Sequence, residues 1–134
     1  MDATVVISRP RETCWRVFVD PAKLVAWVPG LRAAQVVASR PDGLPLEIRF
    51  EYAADLIYSL LYTYDLDAFA VTWEPRESQR GGVRGSARFV EVDGGTELTY
   101  TLEHDRGRKA AERALDDPRI LVEAFARRLH EDRD

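Results

Sequence analysis

Apolar and polar residues alternate with a period of two along most of the chain, and segments of helical spacing flank this stretch. Ala3 to Ile7 is a short β-branched run, the pattern of a strand. Ser8-Arg9-Pro10-Arg11-Glu12 carries helix-start chemistry: Ser8 as a cap, Pro10 in the first turn where no N–H is needed, and Glu12 facing the dipole. Cys14, Trp15, Phe18 and Val19 give the helix one apolar face. Asp20-Pro21 then ends it and begins a second short helix over Ala22 to Trp27, closed by the Pro29-Gly30 turn.

The period-two region follows. Ala33 to Ser39 reads as a strand, ended by Pro41-Asp42-Gly43. Leu46, Ile48, Phe50 and Tyr52 alternate with Glu47, Arg49 and Glu51, which predicts one dry and one wet face. Tyr58, Leu60, Tyr62, Tyr64 and Leu66 form the next dry set, and Phe69, Val71 and Trp73 a shorter one. Arg76 to Gly82 reads as a loop and Val83 to Val92 as a strand. Asp93-Gly94-Gly95-Thr96 is a hairpin turn in which glycine supplies the positive φ. Leu98, Tyr100, Leu102 and His104 alternate with Glu97, Thr99, Thr101 and Glu103. Arg108 to Leu115 reads as a lead-in turn or short helix. Asp117 caps a terminal helix with Pro118 in its first position, and Leu121, Val122, Phe125 and Leu129 form its apolar stripe. One strand, two helices, six consecutive strands and a last helix describe an α+β domain covering residues 1–134.

That order is similar to the START-like (SRPBCC) superfamily. The likeness rests on Pro10-Arg11-Glu12 with Trp15 and Phe18, on Asp20-Pro21, on Trp27-Val28-Pro29-Gly30, and on Gly94-Gly95-Thr96 before an alternating strand. The groups it resembles are polyketide cyclase/dehydrase-like proteins, coenzyme Q-binding proteins, and proteins like one component of carbon monoxide dehydrogenase. The glycines expected of the last group are absent from Asp55 to Asp65. The resemblance implies a helix-grip fold, with a curved seven-stranded antiparallel sheet around the C-terminal helix and two short helices after the first strand. It also implies a ligand cavity between sheet and helix. These motifs are structural and select no chemistry.

Composition narrows the classes further. The 134 residues suit one core, and 46% hydrophobic with 31% charged residues is the balance of a globular protein. With 19 basic against 23 acidic residues the net charge is −4, which argues against nucleic acid as a partner. The charged stretch from Asp105 to Asp134 carries eight of each sign and reads as a solvated helix surface. No signal peptide or membrane span is evident, so a cytoplasmic location is expected. The single cysteine, Cys14, reads as a small buried hydrophobe rather than a reactive thiol. Oligomeric state leaves no mark in the sequence.

The expected ligand-binding set is aromatic: Phe50, Tyr52, Tyr62, Trp73, Tyr100 and Phe125. Rings with hydroxyl tips suit a flat, moderately polar molecule, and they serve equally as core filling. Tyr58 and Tyr64 stand near strand ends, where they can reach solvent. Three residues are candidates for proton chemistry: His104, Tyr100 and Arg88. His104 reads more readily as an exposed strand-end residue beside Asp105 and Arg106. Arg88 is a buried cation if Ser86 and Val90 face inward, and a surface residue if Ala87 and Phe89 do; the second register buries less charge. Two isolated histidines (His104 and His130) give no metal site, and no cofactor motif, P-loop or nucleophile elbow is present. Three functions follow: a carrier of a small hydrophobic molecule such as a lipid, quinone or polyketide-like aromatic; a polyketide cyclase or dehydratase; or an interaction domain whose cavity is closed by tight packing of Trp27, Tyr62 and Trp73. The missing acid/base pairs favour the first.

Overall fold

The computed structural model describes residues 2–52, 57–75, 83–104 and 117–131, with the backbone alone for Val83 and His104. Its elements in chain order are β1 (Asp2–Ile7), α1 (Arg11–Phe18), α2 (Pro21–Trp27), β2 (Leu31–Ser39), β3 (Pro45–Tyr52), β4 (Ile57–Asp65), β5 (Ala70–Pro75), β6 (Val83–Val92), β7 (Gly95–His104) and α3 (Pro118–Glu131). The strands form one antiparallel sheet in the order β1-β7-β6-β5-β4-β3-β2. Six strands are therefore a plain meander, and β1 pairs with the last of them. The three helices among the described residues lie on the concave face, α3 against β1 and β7, α1 against β6 and β7, and α2 against β2. The lead-in segment Arg108 to Leu115 and the loop Arg76 to Gly82 lie outside the described residues.

Local chemistry explains where the helices begin. Asp20 accepts from the Ala22 N–H at 3.0 Å, and Asp117 from the Arg119 N–H at 2.9 Å, each with proline in the first helical position. The α1 cap departs from the sequence expectation. Its cap is Pro10, which has no side-chain acceptor, so Ser8 lies too early to cap the helix. The Ser8 N–H instead donates to His130 Nε2 at 3.1 Å, and Arg9 reaches the Leu129 carbonyl at 3.0 Å. The segment before α1 thus clasps the end of α3.

The sheet curves where β2 and β3 pair irregularly. Register shifts fall between Leu31 and Ala33, between Val36 and Ala38, and between Ala38 and Ser39. Such bulges bend a strand and change which face a residue takes. For that reason Leu46, expected on the dry face, is 40% exposed, while Pro45 and Ile48 point inward. Leu66 is also exposed, because it lies in the β4–β5 turn beyond the strand.

In β6 the inward residues are Gly85, Ala87 and Phe89, and Arg88 is exposed on the outer face. Arg88 is therefore removed from the cavity and from its candidate catalytic role. A side chain at Gly85 would meet the Thr101 carbonyl at 2.6 Å and Trp73 Cε2 at 2.8 Å. Glycine here lets the Trp73 ring lie against the strand.

This contact predicts an asymmetry between two glycine substitutions. Gly85→Ala overpacks the sheet and should cost about 2–3 kcal/mol. Gly43→Ala, with open space but φ of +92°, should cost only about 1 kcal/mol. Urea unfolding followed by tryptophan emission measures both, and a Gly85→Ala protein as stable as Gly43→Ala would refute the close approach of β6 to Trp73.

Candidate functional site

Phe18, the last residue of α1, contacts five rings beneath the sheet. Its centroid lies 5.6 Å from Trp27, 6.2 Å from Trp73, 5.3 Å from Phe89, 6.0 Å from Tyr100 and 5.4 Å from Phe125. To one side of this cluster the concave face does not close, and a cavity of about 50 Å³ remains. Phe18, Leu24, Trp27 and Leu121 of the helices, with the C-cap residues Val19 and Val28, form one wall. The opposite wall is the sheet: Pro45, Ile48, Phe50 and Tyr52 from β3; Tyr58, Leu60, Tyr62 and Tyr64 from β4; Val71 and Trp73 from β5; Tyr100 and Leu102 from β7.

Five of the six expected binding residues, namely Phe50, Tyr52, Tyr62, Trp73 and Tyr100, line this space. Phe125 does not. It is fully buried, packed on Trp27 at 4.9 Å and on Phe89 at 6.2 Å, and it anchors α3 beneath the cavity; Leu121, one turn earlier, is the α3 residue that reaches it. Tyr58 is buried in the wall rather than solvent-reaching, because its i+2 spacing keeps it on the concave face with Leu60. Of the proton-transfer candidates only Tyr100 is placed at the cavity. His104 ends β7 opposite Val83, and its side chain lies outside the described residues. The sequence reading missed Leu24, Val28 and Leu121 as wall residues. Their helical spacing was the available signal, but it gives a helix one apolar face without telling core from cavity.

Every tyrosine in the chain, five of five, is in the wall, whereas only Phe18 and Phe50 of the five phenylalanines are. Tyr64 donates its O–H to the Pro45 carbonyl at 2.6 Å, fixing the end of β4 against the start of β3. Arg40 lies over the same ring at 5.4 Å and pairs with Asp42 at 3.2 Å in the β2–β3 turn. Val19, Tyr62 and Tyr64, at the end of α1 and on β4, are the partly exposed members of the wall. Burial pushes the Tyr62 phenol well up, and the neighbouring Tyr64 and Tyr52 push it further. Burial raises Tyr64 too; Arg40 partly opposes this and Asp42 adds to it. Both rings present neutral hydroxyls.

Two further features bear on chemistry. The indole Nε1 of Trp27, a residue only 6% exposed, has no hydrogen-bond partner among the described residues. Cys14 is fully buried beside the Arg9 carbonyl, and burial raises its thiol, so it is a neutral packing residue and no nucleophile. Among the described residues, no Asp, Glu, Lys, Arg or His lines the cavity, and no cluster of His, Cys, Asp and Glu is placed to hold a metal. Among the described residues, no helix is long and apolar enough to cross a membrane.

No protein-family model and no curated protein matches this sequence. Solved structures do match its fold. A START superfamily protein from Mycobacterium smegmatis is 13% identical with a TM-score of 0.77, covering 98% of this chain and 97% of its own. An aromatase/cyclase from Streptomyces sp. R1128 is 14% identical with a TM-score of 0.68, over 97% of this chain and 92% of its own. A STAR-related lipid transfer protein from Xanthomonas axonopodis is 15% identical with a TM-score of 0.67, over 96% and 84%. At these identities the likeness is one of architecture, and with the curved seven-stranded sheet closed on α3 it establishes that the chain has the START-like, helix-grip fold.

Proposed function

We propose that this protein binds and carries a small hydrophobic molecule in the cavity between sheet and helices. The observation that carries this reading is the sorting of its aromatic residues. Tyrosine and phenylalanine fill space almost equally, but a buried phenol needs a hydrogen-bond partner. A chain that merely packed its core would have no reason to gather all five tyrosines on one wall and leave three phenylalanines elsewhere. A surface of rings with hydroxyl tips offers stacking area and orientation to a flat guest.

The cavity volume sets the scale. An enclosed apolar cavity of roughly 150 Å³ holds benzene, and the space here is about 50 Å³. A guest larger than a few waters therefore uses the mouth at Val19, Tyr62 and Tyr64, or displaces those side chains. They are the partly exposed members of the wall. A void of this size also weighs against the closed-cavity interaction domain. The lipid-transfer and aromatase/cyclase structures with this fold support a hydrophobic guest. A cyclase needs a proton acceptor as well, and neutral phenols such as Tyr62 do not supply one.

Narrowing the mouth tests the proposal. Nile red should bind the protein saturably, and Val19→Trp should weaken that binding at least tenfold while the thermal midpoint stays within a few degrees. Non-saturable binding, or binding unaffected by Val19→Trp, would place the dye elsewhere and reject the cavity as the site. Native mass spectrometry of protein purified without added ligand gives a second readout, a co-purified small molecule.

The neutral phenols also fix a pH dependence. In the unfolded chain tyrosines lose their protons near pH 10. In the fold Tyr62 and Tyr64 hold theirs to higher pH, so above pH 10 the native state binds more protons and stability falls as pH rises. Urea unfolding between pH 8 and 11.5 should show this decline, and Tyr62→Phe and Tyr64→Phe should each flatten it. Equal slopes in all three proteins would mean that the phenols ionise freely in the fold.

A further inference from the structure

We infer that a guest takes the place of the Tyr64 ring, which swings out of the wall by giving up its hydrogen bond to the Pro45 carbonyl. The unliganded protein therefore opposes binding through that bond. This rests on the cavity being a ligand site, as proposed above, and names the residue that sets its affinity. The space of about 50 Å³ falls well short of the roughly 150 Å³ that holds benzene. Some wall residue has to leave before a guest of ring size is enclosed. A phenol ring is itself larger than benzene, so the departure of one tyrosine vacates enough room.

Contacts single out Tyr64 among the partly exposed wall residues Val19, Tyr62 and Tyr64. Val19 is short and β-branched, so moving it frees little volume. Tyr62 has wall rings on both flanks, Trp73 at 6.1 Å and Tyr64 at 6.3 Å. Tyr64 instead has Arg40 over its ring at 5.4 Å, an arginine whose side chain is 31% exposed. Trp15 borders it edge-on at 6.3 Å and is itself held by Phe69 at 5.7 Å and Phe89 at 5.8 Å. The polar groups that fix Tyr64 are thus the 2.6 Å bond to the Pro45 carbonyl and a cation on its outer side. Water replaces both when the phenol turns outward, so the exchange forfeits only the net worth of those contacts. The two anchors stand at the ends of one internally bonded turn. Within it the Arg40 N–H donates to the Leu44 carbonyl at 2.7 Å, Gly43 to the Arg40 carbonyl at 2.9 Å, and Leu44 to Asp42 Oδ1 at 3.1 Å.

Displacement has a sign that other roles lack. A bond present in the unliganded state and absent from the complex lowers affinity, so removing it strengthens binding. A hydroxyl that touched the guest would act in the opposite direction, and one that only braced the strand would change stability alone.

Nile red, followed by equilibrium titration and stopped-flow mixing, supplies the test. Tyr64→Phe should bind the dye about three- to tenfold more tightly, the worth of one hydrogen bond, while its unliganded form melts at a lower temperature. The gain should lie in the association rate, with the dissociation rate within about twofold. Arg40→Gln removes the cation from the ring and should tighten binding about two- to fivefold. It alters an exposed side chain, and it decides the matter alone where Tyr64→Phe fails to fold. Arg88→Gln, on the outer face, should leave affinity unchanged; equal tightening there would trace the effect to net charge and overturn the inference. Weaker binding by Tyr64→Phe would overturn it by making the hydroxyl a contact of the guest. Unchanged affinity would overturn it by leaving the ring in the wall of the complex. These results leave the carrier reading intact if Nile red binds the unaltered protein saturably and Val19→Trp weakens that binding, whereas non-saturable binding by the unaltered protein rejects the carrier reading itself.

Discussion

Phe18 is the contact on which the rest of the fold depends. It touches rings from α2, β5, β6, β7 and α3, so one side chain ties three helices to the centre of the sheet. Each edge-to-face pair adds about 0.5–1.5 kcal/mol beyond the area it buries. Its position also explains why the cavity lies where it does. The rings around Phe18 fill the space between the helices and β5 to β7, and the cavity lies beside them, with most of its sheet wall supplied by β3 and β4.

That origin separates two roles that the sequence presents alike. Phe89 and Phe125 belong to the cluster and do not line the cavity, whereas Tyr62, Tyr64 and Tyr52 line it without touching Phe18. Trp73 and Tyr100 belong to both, since they contact Phe18 or each other (5.2 Å) and also face the cavity. Hydroxyl-bearing rings therefore occur where packing is incomplete. The exception is Trp27, a polar ring gripped by the cluster itself, whose indole donor has no acceptor among the described residues.

Most of the architecture was legible in the chain. Proline and aspartate punctuation located α2 and α3, and strict alternation located the strands, because caps and pleats act through a few neighbouring residues. What was not legible depends on pairing partners. Leu46 follows the period-two pattern perfectly and still faces solvent, since the bulge that turns it out is a property of two strands together. Ser8 resembles a cap and instead serves a contact to His130, 122 positions away. The site was half legible for the same reason. Alternation placed Tyr52, Tyr62, Trp73 and Tyr100 on the concave face, but Phe125 has the same apolar signature as Leu121 and only the sheet's curvature decides which of them meets the cavity.

The arrangement has a consequence for how binding and stability are linked. On the proposed reading, a guest that fills the space would add contacts along β3, β4 and the end of α1, and would meet the Phe18 cluster only at the rings it shares with the wall. Ligand binding to the native state alone stabilises it by mass action, by about 2.7 kcal/mol at a hundredfold excess over Kd. That gain would be spread over β3, β4 and the end of α1, which are the elements least secured by the ring cluster. The elements gripped by the cluster (β6, β7 and α3) do not depend on the guest for their packing. On the proposed reading, a protein built this way would keep its fold with the cavity unfilled and still respond to a ligand, because most of the rings that line the cavity lie outside the cluster that holds the fold together.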